Sequence, residues 1–396
     1  MKITVFRSAE EIGGNCIKLS TRNTSILLDI GAALDGSPFK ANDVSDINYC
    51  IISHPHMDHY GEIESLSTKT TVFSGEESKK LIDITRMFTK KTALTNPWKY
   101  FYNQVPFQLG DFRITPFLLD HSAFDSYGFL IEADGLKLFY TGDFRFHGRK
   151  SNLDITKIPK NLDLLICEGT MLTRQILTND KEADVEKWIV DLLKDSSKPA
   201  FINMSSQNVD RVISVYRAAL QTNRIFVIDI YTAYVLSKIY STFIPKAGWN
   251  NIKVFYPFYL SKYIADYLNK NILYDFKKYR ISKTELNSII GKVIMLVRNS
   301  MQFDLENRLM NIDGSHFINS LWKGYWDKPG NRFRKFIESK NMDIQHIHVS
   351  GHAYTDDLEN FIKTINPKAI LPVHTENPGG FGRKIIKVKD GEEFEL

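Results

Sequence analysis

Cysteine is scarce in this 396-residue chain: Cys16, Cys50 and Cys167 are the only three, and no two stand as Cys-x-x-Cys. An odd, scattered trio argues against a disulfide framework and against a cysteine zinc site, and it fits a reducing compartment such as the cytoplasm. Long apolar runs are missing too. No stretch of about 18 apolar residues occurs, so no membrane-spanning helix is expected. The opening Met1-Lys2-Ile3-Thr4 lacks the basic and apolar regions of an export signal, so neither secretion nor a membrane partner is expected. Repeats and low-complexity tracts are also lacking. What remains is an ordinary globular composition, 43% hydrophobic and 24% charged, at a length that suits two domains better than one.

The net charge of +5 conceals an uneven distribution. Residues 1–180 carry 20 Lys+Arg against 22 Asp+Glu, 181–340 carry 25 against 15, and 341–396 carry 6 against 9. A basic block between two acidic ones reads as a folded insertion facing an anionic partner, or as a solvated lysine-rich surface. The element pattern changes at the same places. Short strand-like runs over 3–6, 16–19, 25–29, 49–53, 112–117, 128–132 and 137–141 predict a sheet-rich first part. From about 181, Val209, Val212, Ile213, Tyr216 and Leu220 share one helical face. Strand and helix then alternate through 225–230, 253–260, 292–298 and 315–318, the pattern of a mainly parallel α/β sheet. The last part predicts a strand over 344–349, a helix over 356–364, a strand over 369–373 and a terminal hairpin through Asp390-Gly391. The domains expected are therefore 1–180, an insertion over 181–340, and a return over 341–396.

Chemistry concentrates in Ser53-His54-Pro55-His56-Met57-Asp58-His59-Tyr60-Gly61, directly after an apolar strand. Four potential metal ligands fall within six positions: His54 and His56 reach one ion, Asp58 and His59 a second nearby. Asp29, His121 and Asp143 each stand at or just past a strand end, where a sheet-based site collects ligands. Taken singly, each of these three reads better as a turn or capping residue.

In this order, Asp29, the His-x-His-x-Asp-His run, His121 and Asp143 resemble the motifs of the metallo-β-lactamase fold. The resemblance implies an α/β fold, an αββα sandwich with two Zn²⁺ ions, or Mn²⁺ in their place, at the edge of its sheets. It implies that His54, His56 and His121 hold the first ion, Asp58 and His59 the second, that Asp143 bridges, and that Asp29 orients the histidine loop. Leu164-Leu165-Ile166-Cys167-Glu168-Gly169-Thr170, His348-Val349-Ser350-Gly351-His352-Ala353 and Leu371-Pro372-Val373-His374-Thr375-Glu376 resemble motifs A, B and C of the β-CASP nucleases. Those enzymes carry an inserted α/β domain between motifs A and B, and a histidine in motif C is the mark of their RNA-processing members. The ribonuclease J group is the nearest match, although Thr375 stands where that group usually has glycine.

The resemblance further implies catalytic roles for Asp58, Glu168 and His352, with His374 completing the second ion's ligands and Glu168 holding His352 as general acid. His348, Ser350 and Gly351 would line a 5′-monophosphate pocket; the other reading of His348 is a packed strand residue. Ser205 and Arg211, where a helix opens, are a phosphate site or an ordinary N-cap. Nine aromatic residues crowd 255–279, with Lys277, Lys278 and Arg280 among the cations at its end. That pairing suits single-stranded RNA or plain core packing. The expected activity is two-metal hydrolysis of single-stranded RNA, as exonuclease, endonuclease or both, by a cytoplasmic enzyme for which a homodimer is one assembly to consider. A DNA nuclease and a small ester or thioester hydrolase are the alternatives.

Overall fold

The alternation of small apolar runs builds two sheets that share a core. The computed structural model describes residues 1–39, 44, 46–150, 155–174, 179–382 and 384–396. These divide into two compact units, Met1–Asn179 with Gly351–Leu396, and Asp180–Ser350. In the first unit one sheet runs in the order Glu392–Glu395, Lys2–Arg7, Cys16–Ser20, Ser25–Leu28, Tyr49–Ile51, Thr71–Ser74 and Trp98–Tyr100. The other runs Ala369–Val373, Leu164–Glu168, Leu136–Tyr140, Ser126–Ala133, Phe112–Leu119 and Phe107–Leu109.

Side chains alternate across a strand, so consecutive apolar residues serve opposite faces. Ile26 and Leu28 join Phe112, Phe129, Ile166 and Leu371 between the sheets, while Leu27 points to the other face with Cys50, Val72 and Ile82 of the helix Glu76–Phe88. On the second sheet Leu164 and Ile166 face inward. Leu165 and Cys167 face outward, against Leu358, Phe361 and Ile365 of the helix Thr355–Ile365. Burying each such side chain contributes about 1.5–3 kcal/mol. The result is the expected αββα sandwich, with strands apolar on both faces because both are covered.

Two local expectations are corrected. The predicted hairpin at Asp390-Gly391 does not form; Glu392–Glu395 instead pairs antiparallel with Lys2–Val5, capping the sheet's edge. The strand expected over 253–260 stops at Phe255, because Pro257 fixes the backbone at the entry to the helix Phe258–Tyr267.

The second unit is a six-stranded sheet, parallel throughout, in the order Ile252–Phe255, Ile225–Asp229, Val293–Leu296, Ala200–Asn203, His316–Asn319 and Asp343–His346. The last strand, which the sequence assigns to the returning segment, pairs with His316–Asn319, so this unit extends to Ser350.

Arg211 lies at the heart of the second unit and corrects another expectation. It is wholly buried, its Nε and Nη2 donating to the Glu182 carboxylate at 2.7 and 3.1 Å. Nη1 donates to the Ser320 carbonyl at 3.0 Å and Nη2 to the Val349 carbonyl at 3.2 Å. A guanidinium committed in this way has nothing to offer a phosphate. The helix Val209–Gln221 is capped by Asn208, whose side chain accepts from the Arg211 amide, and Ser205 accepts from the Gln207 amide at 3.3 Å. Because Arg211→Ala would leave Glu182 buried without its cation, it is expected to cost about 3–5 kcal/mol, read as a lowered urea midpoint.

Candidate metal centre

Six strands of the first unit, drawn from both sheets, deliver polar side chains to one rim. Asp29 follows Ser25–Leu28, the histidine loop follows Tyr49–Ile51, His121 follows Phe112–Leu119, and Asp143 follows Leu136–Tyr140. Glu168 ends Leu164–Glu168 and His374 follows Ala369–Val373. The histidine loop is pinned by backbone bonds: the Asn15 amide donates to the Asp58 carbonyl at 3.0 Å, and the Ile30 amide to the His59 carbonyl at 2.9 Å. At Gly31 a Cβ would lie 1.7 Å from the Asp58 carbonyl oxygen, so only glycine lets these segments approach. Asp29 and His374 both hold left-handed backbone, φ +58° and +53°, a conformation that costs an L-residue about 1–2 kcal/mol. Such strain persists where surrounding contacts enforce it.

Three ring nitrogens converge at one side of the rim. His54 Nε2 lies 3.2 Å and His121 Nε2 3.1 Å from His56 Nδ1. A tetrahedral ion with bonds of about 2.0–2.1 Å sets its ligand nitrogens roughly 3.3–3.4 Å apart, close to this spacing. His121 donates through Nδ1 to the Gly351 carbonyl at 2.6 Å, which turns its Nε2 lone pair inward. Burial holds His54 and His121 well below the ordinary imidazole range, reinforced by neighbouring histidines. Neutral imidazoles with facing lone pairs are what a cation binds.

The second group is Asp58, His59, Asp143 and His374, whose ligand atoms lie within 4.8 Å of one another. His374 Nε2 is 3.3 Å from Asp58 Oδ2, and His59 Nε2 is 3.1 Å from Asp143 Oδ2. That Asp143 oxygen also lies 3.7 Å from His54, 3.9 Å from His121 and 3.8 Å from His352, so it stands between both groups. Asp143 Oδ1 is buried with no hydrogen bond among the described residues, a costly state for a carboxylate oxygen that a bound cation would relieve. Burial opposes ionisation of Asp143, yet His374, His59 and His352 outweigh it and hold the carboxyl well below its usual range. Burial likewise opposes a charge on His59, but Asp143 and Asp29 override it and raise that imidazole well above the ordinary value. The donor set, imidazole nitrogens and carboxylate oxygens in two adjoining groups, fits hard-to-borderline divalent metals.

Behind the ligands stands a layer of hydrogen bonds, part of which sequence reasoning missed. Asp29 accepts from the Ser53 amide at 2.7 Å, the Ser53 hydroxyl at 2.8 Å, the Tyr140 hydroxyl at 2.6 Å and His59 Nδ1 at 2.7 Å. Asn15 Nδ2 in turn donates to the Tyr140 hydroxyl at 3.1 Å. Thr170 Oγ1 lies 2.9 Å from His374 Nδ1 and fixes that ring. The one clue to Tyr140 is a tyrosine ending a strand meant for the core, where its hydroxyl requires a partner. Removing the hydroxyl in Thr170→Val is expected to weaken metal affinity about 10–100-fold in a competitive chelator titration.

His352 and Glu168 form a pair at the mouth. His352 Nδ1 donates to Glu168 Oε1 at 3.1 Å, while Glu168 Oε2 accepts from the Thr170 amide at 3.0 Å. Burial lowers the His352 pKa, but Glu168 and then Asp143 more than compensate, so its net shift is upward. The His352 and Asp58 side chains each keep 19% exposure, whereas those of His54, His59, His121, Asp143 and Glu168 keep 2% or less. The more accessible groups of the site are thus His352 and Asp58, with His56 half-buried beside them. His348, Ser350, Ser205 and Arg211 belong to the other unit, where His348 Nδ1 lies 3.2 Å from the Ser320 carbonyl.

Residues 25–197 match the β-lactamase superfamily domain, and residues 339–380 match the Zn-dependent metallo-hydrolase RNA specificity domain. The "Probable RNase MJ4" of Methanocaldococcus jannaschii is 23% identical over 94% of this chain and 92% of its own length. "Ribonuclease J" of Helicobacter pylori is 22% identical over 95% of this chain, which spans only 56% of that relative. A crystal structure of a protein of unknown function from Enterococcus faecalis V583 superposes with a TM-score of 0.79 at 20% identity, covering 100% of this chain and 99% of that one.

Proposed function

Since the chain belongs to the metallo-β-lactamase superfamily and to its ribonuclease J-like, β-CASP branch, we propose that it is a two-metal ribonuclease acting on single-stranded RNA. The observation that carries this reading is the shared Asp143 oxygen between two ligand groups, with the His352–Glu168 pair beside it. Zinc ions, or manganese, would be held by His54, His56 and His121 on one side and by Asp58, His59 and His374 on the other, with Asp143 between. When bound, such ions supply a nucleophile at neutral pH and neutralise charge on the phosphoryl oxygens.

The chain's own groups do the rest. Glu168 accepts from His352 Nδ1 and favours the imidazolium, whose Nε2–H can then donate to a phosphoryl or leaving oxygen. Asp29, Tyr140 and Thr170 hold the ligand rings in place. Products would carry 5′-phosphate and 3′-hydroxyl ends. Gly351 spends its carbonyl on His121, and its amide, with His348 and Ser350, remains the proposed 5′-monophosphate contact. Among the described residues the three buried cysteines form no disulfide, and no helix is long and apolar enough to cross a membrane. A cytoplasmic location accords with those thiols.

Labelled RNA and DNA oligonucleotides of one sequence, bearing 5′-monophosphate or 5′-hydroxyl, test the assignment. RNA is expected to be cleaved and DNA spared, with cleavage abolished by chelator. Mononucleotides released from monophosphorylated RNA would mark exonuclease action and longer fragments endonuclease action. Equal cleavage of DNA, or RNA left intact by metal-loaded protein, would overturn the reading.

A further inference from the structure

The inserted unit has a concavity of its own, lined entirely by its residues. It opens where the edge strand Ile252–Phe255 gives way to the helix Phe258–Tyr267, and the helix Asn271–Asp275 contributes to its wall; its volume is about 600 Å³. Lys262, Lys270, Lys277, Arg280 and Arg308 line it, and no Asp or Glu does. Arg308 is spoken for: it donates to the Tyr256 carbonyl at 2.9 Å and to Asp304 at 2.5 Å, and Asp304 also accepts the Phe258 amide at 3.0 Å. The other four cations are exposed and have no carboxylate partner among the described residues. A concave wall of one sign of charge focuses the field into the cavity and favours an anion there.

Two further features make the lining more than a cationic surface. Ser261 Oγ, buried in the same wall, has no hydrogen-bond partner among the described residues. Aromatic rings stand among the cations: Phe258 is 48% and Tyr274 65% exposed, and the Arg280 guanidinium sits 4.8 Å over the Tyr256 ring. Of the nine aromatics the sequence gathers here, Phe255, Tyr256 and Phe276 are buried, while Phe258, Tyr259, Tyr267 and Tyr274 are not. Exposed rings beside unpaired cations offer a face for a base and charge for its phosphate, in a volume of ligand size.

We propose that this cavity binds a nucleotide unit of single-stranded RNA, with phosphate on Lys262, Lys270 and Lys277 and the base against Phe258 or Tyr274. The choice of RNA rests on the ribonuclease reading; the anion chemistry does not. The test is fluorescence anisotropy of a fluorescein-labelled, phosphorothioate-linked oligoribonucleotide on the metal-loaded 396-residue chain. Lys270→Glu with Lys277→Glu is compared with Lys283→Glu with Lys335→Glu, an equal charge reversal at exposed lysines outside the cavity, after matched thermal melts establish that both pairs fold.

The cavity pair is expected to weaken binding by about tenfold or more and to flatten the salt dependence by roughly 1.4 in slope, while the outside pair changes affinity by less than about twofold. Equal losses in both pairs, or none in the cavity pair, would overturn the proposal. So would uridine monophosphate binding that depends on Lys270 and Lys277 while oligonucleotide affinity stays unchanged, since the occupant would then be a free nucleotide. If the lysine-dependent binding is found but no RNA is hydrolysed, the ribonuclease reading fails and the cavity stands. If RNA is hydrolysed and the cavity pair binds normally, the reverse holds.

Discussion

Asp143→Asn is expected to lower RNA hydrolysis by on the order of 10⁴-fold, the scale seen when a member of an interdependent catalytic set is removed. The reason is position: its Oδ2 lies within 3.1–3.9 Å of His59, His54, His352 and His121, so both ligand groups depend on it. An amide is uncharged, and one of its two heavy atoms can only donate. The variant should still fold, because the strands on either side keep their cores, but metal content should fall below the wild-type value by elemental analysis. Activity within tenfold of wild type would remove Asp143 from the centre of the mechanism.

His352→Ala and Glu168→Gln are each expected to cost about 10²–10⁴-fold in turnover. The double variant should be scarcely worse than the more damaging single one, because Glu168 acts through the ring it holds at 3.1 Å. Metal content separates this role from ligation. Glu168 and His352 also lie in a third cluster with Asp143 and His374, so a loss of metal in His352→Ala would recast His352 as a ligand. Unchanged metal with lost turnover supports proton donation to the leaving oxygen. Additive losses would mean that the two residues act separately.

The parts of this molecule that could be read from its sequence are those whose physics is local. Four candidate ligands within six residues after a strand announce themselves, because they lie on one segment. Ile26 to Leu28 reads as a strand because its apolar residues cover both faces of the sheet. Tyr140, Asn15 and Thr170 escaped notice because their partners are distant in sequence; Asn15 meets Tyr140 across 125 positions and Thr170 meets His374 across 204. Arg211 misled for a related reason. A cation one turn into a helix looks the same whether it faces a phosphate or Glu182, and only the packing of the helices Glu182–Leu193 and Val209–Gln221 decides. The run from 253 to 260 is apolar at nearly every position, so it carries no period to separate strand from helix, and Pro257 was the one available punctuation.

The central claim is that one metal-dependent centre on this rim hydrolyses RNA, and metal reconstitution tests it most directly. Protein stripped with chelator, dialysed and titrated with zinc or manganese is given 5′-labelled single-stranded RNA, and the initial cleavage rate is followed against metal bound per chain. The account predicts no cleavage by the stripped protein, recovery that approaches completion near two ions per chain, and no recovery in Asp143→Asn. Cleavage by the stripped protein at the untreated rate would contradict it.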